Sequence, residues 1–336
     1  KTSIALVEMP RSAADGDRPS VVLQRDKYHS ASYPGLTAIA RDFLQKHSIS
    51  PREVRRVCAG IAGPVVEGRV ETTNLPWNVD SVEVQSALGT GPVTLINDLE
   101  AMAESAAILQ DQDVFTLNAG KRPAGRLTNG AVIAAGTGLG MALLHPIDGA
   151  WWPVPSEGGH VDLAPRNDLE ISLLRFLLAR HRRVSVERVL SGPGLFTSYE
   201  FFSAHGSHKP SPEVQAEIAA QPADEAPRIV GEAAIAGRCP AASDALDLFV
   251  SLYGAAAGNL GLMAVSTGGM FIGGGVAPKI LPRLREGGFM ASFTNKGRLS
   301  PLLENMPVKV ILDADAGLLG AARRAARLEL GLVRQP

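Results

Sequence analysis

The sequence predicts an α/β protein with two lobes, each built around a mixed sheet. Segments with the apolar pattern of strands alternate with segments of helical periodicity, and the alternation occurs in two successive blocks. The chain has 336 residues, enough for about two domains, and 45% of them are hydrophobic, as in ordinary globular proteins. Ligands of such proteins bind at strand ends and between lobes.

The first block begins with two predicted strands joined by a turn. Residues 15–19 combine Asp, Gly and Pro, which favours a turn between these strands. Apolar residues at helical spacing predict a helix at 36–44, and a second helix is expected at 98–109. Residues 70–72 are interpreted as a continuation of the third strand. The predicted strands of this block are residues 4–7, 20–27, 57–62 and 93–96.

The second block contains the predicted strands 131–135, 141–144, 269–272 and 308–312. A helix with a broad apolar face is expected around residues 171–178, and a polar surface loop with short helical pieces at 205–228. Residues 318–330 are predicted to form a closing helix, with Arg323, Arg324 and Arg327 on its solvent-exposed face.

Residues 248–278 contain no Asp, Glu, Lys or Arg and are long enough to cross a bilayer. The stretch also contains eight glycines, together with Asn259. We therefore predict a buried helix to about Val265, a turn at Gly268 and Gly269, and a short strand, and we expect no membrane contact.

Charge and cysteine content exclude several classes of protein. The 33 Lys and Arg residues nearly balance the 34 Asp and Glu residues, so the sequence has no excess of positive charge of the kind that binds nucleic acid. Only Cys58 and Cys239 are present, too few for a disulfide framework or a four-cysteine zinc site. We expect a reducing compartment, two structural thiols and no zinc.

Asn97 and Asp98 are the first candidate site residues, because they end a predicted buried strand where a helix begins. A carboxylate there can act as a base over a ligand, and the neighbouring amide can both donate and accept hydrogen bonds. Asp98 could instead serve only as a helix cap.

Two glycine-rich loops follow predicted strands. Gly136, Thr137 and Gly138 form the first loop, whose successive N–H groups could cradle a phosphate, although a plain hairpin turn is equally consistent. The second loop precedes a predicted helix that begins with Pro278, and here the backbone could approach a planar ligand or make only a turn. Its glycines are Gly273, Gly274 and Gly275.

Glu157 and His160 flank two glycines, and Glu187 lies near a predicted helix start. Glu157 and His160 could hydrogen-bond a polyol or bind a metal, but no further metal ligand occurs at short spacing. The alternatives are a surface turn with a satisfied histidine and a carboxylate that caps a helix.

Taken together and in this order, the segments resemble the bacterial glucokinase family of the actin–hexokinase fold. The most specific motifs are Glu-Gly-Gly-His at 157–160 and Glu-Arg-Val-Leu-Ser-Gly at 187–192. The resemblance extends over nearly the whole chain. The similar segments are residues 73–77, 96–98, 135–140, 157–162, 187–194, 273–278 and 315–320.

This resemblance implies a two-lobed actin/hexokinase-like (ribonuclease H-like) fold with mixed sheets and an interlobe cleft. The expected parts are a small lobe at 1–108, a large lobe at 109–314 and a C-terminal helix at 315–336 that returns to the small lobe. The implied activity is ATP-dependent phosphorylation of glucose at its 6-hydroxyl, with Mg²⁺ bridging the phosphates. A cytoplasmic location is expected, and a homodimer is left open.

The resemblance also assigns roles to residues. Asp98 matches the general base, and the second phosphate loop matches Gly136, Thr137 and Gly138. The segment on the adenosine side contains Gly273, Gly274 and Gly275. The sugar-binding positions of the family match Asn97, Asp98, Glu157, His160 and Glu187.

One departure concerns the N-terminus. The family begins with a strand that ends in an Asp-x-Gly-Gly-Thr phosphate loop, whereas Lys1 aligns just after that loop. We expect the gene product to carry the loop upstream, and the chain without it to have weak or no activity.

Two other classes of function remain open. The chain could phosphorylate another hexose or an amino sugar, or use polyphosphate as the donor. It could also be a non-catalytic sugar sensor on the same fold, although no DNA-recognition helix is visible and residues 180–183 are more simply a solvated helix end.

Overall fold

The computed structural model describes residues 1–9, 21–72, 75–121 and 125–332. They form two compact units, which we call unit 1 and unit 2. Unit 1 consists of the described parts of Lys1–Gln110 and Asp313–Pro336, and unit 2 of those of Asp111–Leu312. The predicted turn at 15–19 and the family-like residues Thr73 and Asn74 lie outside the described residues.

Strands and helices alternate along the chain, and the eight strands for which bounds were predicted lie within a few residues of those bounds. The strands are β1 (Thr2–Glu8), β2 (Val21–Tyr28), β3 (Val57–Ile61), β4 (Arg69–Glu71), β5 (Asn78–Asp80), β6 (Val93–Asn97), β7 (Val114–Asn118), β8 (Gly130–Ala135), β9 (Leu139–Ile147), β10 (Ala150–Ser156), β11 (Gly269–Gly273) and β12 (Val308–Ile311). The helices are α1 (Leu36–Lys46), α2 (Ser81–Leu88), α3 (Asp98–Ser105), α4 (Asp168–Leu178), α5 (Gly192–His205), α6 (Pro212–Ala219), α7 (Ala226–Ile235), α8 (Pro240–Ala264), α9 (Leu281–Leu284), α10 (Gly288–Thr294), α11 (Ser300–Glu304) and α12 (Ala316–Glu329).

Unit 1 is built from paired strands with helices packed on them. β1 pairs with β2 and β4 with β5, both antiparallel, whereas β3 and β6 are parallel. The predicted continuation of β3 at residues 70–72 is wrong, because residues 70 and 71 lie in β4, which pairs with β5. The parallel register places Ile61 beside Asn97, so β3 and β6 end at the same edge. The apolar core includes Ile39, Trp77 and Leu95.

Helix α12 packs against α3 with its arginines turned inward. Arg323, Arg324 and Arg327 are at most 5% exposed, so the predicted solvent-exposed arginine face is wrong. Glu104 of α3 is fully buried and forms ion pairs with Arg323 and Arg324. Helical periodicity could not show this arrangement, because Glu104 precedes Arg323 by 219 residues in the chain.

Unit 2 contains a six-stranded mixed sheet in the order β10-β9-β8-β11-β12-β7. β11 is parallel to both β8 and β12, and the other neighbours are antiparallel. The aromatic side chains of Phe249, Tyr253, Phe289 and Phe293 are buried among the helices and contact one another edge-to-face or stacked. These helices and the sheet share one apolar core, and the glycine-rich loops follow the ends of β8 and β11.

Helix α8 is the one helix among the described residues that is long and apolar enough to cross a membrane. However, 72% of its most apolar window is buried inside the structure, as is typical of a core helix. Val265 caps the helix in a left-handed conformation, and β11 begins at Gly269. The predicted sequence of buried helix, turn and strand is therefore confirmed.

The two cysteines are free thiols. Cys239 is buried, and its Sγ accepts a hydrogen bond from the Ser211 N–H at 3.3 Å. Burial of the Cys58 thiol on β3 raises its pKa to about 12, so it stays protonated at neutral pH. Both environments agree with the structural role expected of these thiols.

The contact between α12 and α3 depends on Gly320, because a Cβ there would lie 1.6 Å from the Ala101 carbonyl oxygen. We expect Gly320→Ala to lower the free energy of unfolding by about 1–3 kcal/mol, since one helix must shift. The matched control is Gly317→Ala on the same helix, where no atom lies within 4 Å of the added Cβ. Thermal denaturation compares the variants, and equal midpoints would contradict the close packing.

Candidate active site

In unit 1 the candidate site begins where β6 passes into α3. Asn97 is the N-cap of α3, and its Oδ1 accepts hydrogen bonds from the N–H groups of Leu99 at 2.9 Å and Glu100 at 3.4 Å. Its Nδ2 donates to the Gly63 carbonyl oxygen at 3.0 Å. The helix-cap alternative considered for Asp98 therefore applies to Asn97, because capping requires the residue just before the helix.

Asp98 is the first residue of α3, and its Oδ1 accepts a hydrogen bond from the Leu99 N–H at 2.8 Å. The residue is exposed, which leaves its carboxylate accessible to a ligand. Nevertheless, surrounding protein atoms reduce hydration of the carboxylate and raise the pKa of Asp98 above its ordinary value, an effect that the backbone N–H groups partly offset. A carboxylate with a raised pKa is a stronger base than a solvated aspartate.

Gly60 of β3 allows the start of α3 to lie close to the sheet. A Cβ at this position would be 2.8 Å from the Ala101 Cβ and 3.5 Å from the Asp98 Cα. The location of the Asp98 carboxylate therefore depends on a strand residue without a side chain.

In unit 2 the two glycine-rich loops lie at one edge of the sheet. β8 and β11 are parallel, Ala134 pairs with Gly273, and both loops follow the carboxyl ends of these strands. Gly136, Thr137 and Gly138 form the turn between β8 and β9, closed by a hydrogen bond from the Gly136 N–H to the Gly138 carbonyl oxygen at 2.8 Å. The hairpin-turn alternative describes the backbone correctly, and the edge it occupies is where ligands of such sheets usually bind.

The second loop requires glycine at one position. Gly274 has φ +84°, and a Cβ there would lie 2.2 Å from the Ala135 carbonyl oxygen at the end of β8. Residues 274–280 form turns, and the next helix, α9, begins only at Leu281. The predicted helix starting at Pro278 is therefore wrong, because the chain makes tight turns, including one from the Lys279 N–H to the Val276 carbonyl oxygen.

Tyr253 of α8, which the sequence analysis did not single out, joins the ends of β8 and β11. Its buried hydroxyl accepts a hydrogen bond from the Ala135 N–H at 3.2 Å and lies 3.1 Å from the Gly273 carbonyl oxygen, to which it can donate. The hydroxyl thereby links the two loop-bearing strands. The sequence did offer one signal for this role, because Tyr253 lies in a segment without charged residues. A tyrosine hydroxyl buried in such a segment requires a hydrogen-bond partner.

The Glu187 side chain is hydrogen-bonded to the start of β9, the strand that directly follows the first glycine-rich loop. It lies in a short 3-10 turn before α5, and its Oε2 accepts a hydrogen bond from the Leu139 N–H at 2.9 Å. A Cβ on Gly138 would lie 2.7 Å from the same oxygen. The Gly192 N–H donates to the Gly136 carbonyl oxygen at 2.7 Å. Two hydrogen bonds thus connect the segment that carries Glu187 with the glycine-rich turn.

Glu157 and His160 lie in the same part of unit 2. Glu157 follows β10 directly, and its carbonyl oxygen accepts the His160 N–H at 2.9 Å across a 3-10 turn. The His160 Nδ1 is 4.0 Å from the Glu187 Oε2. The side chains of Glu157 and His160 are exposed, and Glu187 is half-buried, so donors and acceptors remain accessible to a polar ligand.

Unit 2 therefore brings together His160, Glu187 and the Gly136–Gly138 turn, with Glu157 in the adjoining turn, and unit 1 presents Asn97 with Asp98. No group of three or more His, Cys, Asp or Glu side chains that could hold a metal ion occurs within the described ranges. The accessible groups are carboxylates, an imidazole and loop N–H donors. Such groups can bind hydroxyls, accept a proton and contact a phosphate.

Comparisons with known proteins identify the family of this chain. The family model described as Glucokinase matches residues 1–328. The glucokinase of Trichormus variabilis is 40% identical over 338 residues, which cover 98% of this chain and 96% of that protein. A solved glucokinase from an Antarctic psychrotroph is 31% identical, with a TM-score of 0.79 and coverage of 97% of this chain and 96% of that chain.

A glucokinase of the ROK family from Streptomyces griseus, solved in complex with glucose and AMPPNP, is more distant. Its TM-score is 0.63 at 21% identity, with coverage of 97% of this chain and 96% of that chain, so the likeness concerns the fold. The two solved structures support the predicted α/β fold of the actin/hexokinase-like type. Because the family model and a relative at 40% identity both extend over nearly all of its length, the chain belongs to the glucokinase family.

Proposed function

We propose that this protein transfers the γ-phosphate of ATP to the 6-hydroxyl of glucose, giving glucose 6-phosphate and ADP. The observation that carries the proposal is the Glu187 carboxylate, which accepts a hydrogen bond from the residue after a glycine-rich turn and lies beside His160. Groups suited to sugar hydroxyls and a loop suited to phosphate thus adjoin one another in a chain of the glucokinase family. The reaction uses ATP, and the proposed location is the cytoplasm.

The proposed base is Asp98. As the glucose 6-oxygen attacks the γ-phosphorus, its proton passes to the Asp98 carboxylate, and the bond from the γ-phosphorus to the departing ADP oxygen breaks. One carboxylate oxygen is held by the Leu99 N–H, which limits rotation of the side chain. The raised pKa of this exposed carboxyl favours proton acceptance. Positioning and charge stabilisation contribute most of the rate in phosphoryl transfer.

The proposed sugar ligands are Asn97, Glu157, His160 and Glu187. Asn97 already gives one amide hydrogen to Gly63, so its second Nδ2 hydrogen is the one left for a hydroxyl. Glu187 has Oε1 left for the sugar, because Oε2 accepts the Leu139 N–H. A site that pairs each hydroxyl rejects sugars that lack one, since its own polar groups would lose their partners.

The proposed nucleotide contacts come from the two glycine-rich loops. Backbone N–H groups of Gly136, Thr137 and Gly138 contact phosphate oxygens, and Gly273, Gly274 and Gly275 allow close approach on the adenosine side. Mg²⁺ enters with the nucleotide as part of the substrate, because it prefers phosphate oxygens and water to a cage of protein ligands.

The direct test of the function is sugar phosphate formation by the full-length protein with a panel of sugars and either Mg-ATP or polyphosphate as the donor, with ADP release followed in the ATP reactions. We expect release that depends on glucose, with glucose preferred over other hexoses and amino sugars, and ATP preferred over polyphosphate. Isothermal titration with glucose alone is run in parallel. Glucose binding without turnover on any donor would indicate a sensor, and preference for another sugar or for polyphosphate would replace the proposed substrate or donor.

The role of Asp98 is tested by Asp98→Asn. The amide has nearly the same shape but cannot accept the proton, so we expect kcat to fall by about 10²–10⁴-fold while the Kd of glucose changes little. In the unsubstituted protein Asp98 must be deprotonated, so activity should rise with pH through its folded-state pKa. Because desolvation raises that pKa, the acidic limb of the kcat profile should lie above 3.8. Near-normal turnover in the variant would remove Asp98 from this role.

The sugar contacts are tested by Glu157→Gln and His160→Ala, measured separately. We expect each variant to raise the KM for glucose by about tenfold, as befits the loss of one hydrogen bond to a polar ligand, with a smaller effect on the KM for ATP. A variant of an exposed pair elsewhere in unit 2, Arg238→Ala, serves as the control. An unchanged affinity for glucose would argue against these two residues as sugar ligands.

A further inference from the structure

The buried charges under α3 stand out from the rest of unit 1. The side chains of Glu104, Arg323 and Arg324 are 0%, 1% and 3% exposed. Glu104 Oε1 accepts from the Arg324 Nε at 2.5 Å, and its Oε2 pairs with Arg323. The Nη2 of Arg324 also donates a hydrogen bond to Glu100 Oε1 at 2.6 Å. One guanidinium therefore contacts carboxylates on two successive turns of α3.

Such a network is an inefficient means of stabilising a fold. Removing charges from water is costly, and well-packed apolar replacements of buried ion pairs are often as stable or more stable. A guanidinium that donates to two carboxylates does fix their relative orientation, because its planar set of donors fits two acceptors in only one arrangement. The network therefore restricts how α3 can rotate and slide against α12.

The geometry of α3 matters because its first turn carries the proposed base. Glu100 is two residues beyond Asp98, and the Glu100 N–H donates to the Asn97 cap. A movement of Glu100 is therefore transmitted to both Asn97 and Asp98 through one turn of helix. The same turn lies close to β3, because a Cβ added to Gly60 would be 3.5 Å from the Asp98 Cα.

We propose that Arg324, supported by Glu104 and Arg323, is a positioning residue for catalysis, acting through Glu100 and the first turn of α3 on the Asp98 carboxylate. This inference rests on the proposed function, in which Asp98 is the base. Arg324 touches no reacting atom in this scheme. It sets the direction in which Asp98 presents its oxygen to the sugar hydroxyl.

The test compares Arg324→Met with Arg56→Met, both measured for thermal midpoint, kcat and KM. Arg56 is the matched control, because it pairs with Glu329 on the same helix α12 at 3.4 Å and involves no residue of α3. We expect Arg324→Met to lower kcat by about 10- to 100-fold, with the KM for glucose changed less than about threefold, since misplacement of a catalytic group mainly affects the chemical step. Arg56→Met should keep kcat within about twofold.

A double-mutant cycle with Asp98→Asn separates positioning from general damage. If Arg324 acts through the base, Arg324→Met should reduce kcat no further in the Asp98→Asn background. A further loss as large as in the unsubstituted protein would overturn the proposal, as would an Arg324→Met variant that matches Arg56→Met.

A milder substitution keeps the test decisive if Arg324→Met does not fold. Glu100→Gln retains an acceptor for the guanidinium at a partly exposed position but removes the charge that pairs with it. We expect the same loss of kcat without a matching change in KM, smaller in size, and its absence would contradict the proposal.

All of these variants are compared with the unsubstituted protein. If that protein releases no glucose-dependent ADP, the proposed function has failed, which is a separate result.

Discussion

Several backbone segments of this protein lie closer together than a Cβ atom would permit, and both parts of the candidate active site depend on that constraint. In unit 1, Gly60 allows α3 to lie close to β3, and Gly320 allows it to lie close to α12. In unit 2, Gly138 lies against the Glu187 carboxylate, and Gly274 lies against the end of β8. Where backbones approach this closely, their N–H and carbonyl groups, rather than flexible side chains, determine where the functional groups lie. Substrate groups can then be held by rigid elements, which favours precise positioning.

Much of the fold could be predicted because most elements have one apolar face and clear turn residues between them. Eight of the strands, the amphipathic helix α1 and the long buried helix α8 follow directly from apolar spacing and from the absence of charge, whereas β5, β7 and β10 were not predicted. What spacing could not predict are pairings between distant residues. Arg323 and Arg324 have the periodicity of an exposed face, and only their packing against Glu104 shows that this face is buried.

The candidate site was predictable residue by residue but not in its connections. The sequence singled out Asp98, Glu187 and the glycine-rich loops, and the parallel pairing of β8 with β11 places the two loops at one edge of the sheet. It did not reveal that Asn97 rather than Asp98 caps α3, because adjacent polar residues at a strand end both suit a cap. Nor could it show that Tyr253 links the two loop-bearing strands, since that depends on how α8 packs on the sheet.

The order in which the two units can fold during synthesis follows from the way unit 1 is divided along the chain. Unit 2 is one continuous stretch, Asp111–Leu312, whereas unit 1 needs α12, which follows unit 2 in the chain. On the ribosome, unit 2 can therefore fold while Glu104 still lacks its arginine partners, and a carboxylate without a partner will not be buried. Completion of unit 1, and with it the final placement of the helix that bears Asp98, therefore has to wait until the whole of unit 2 has been synthesised.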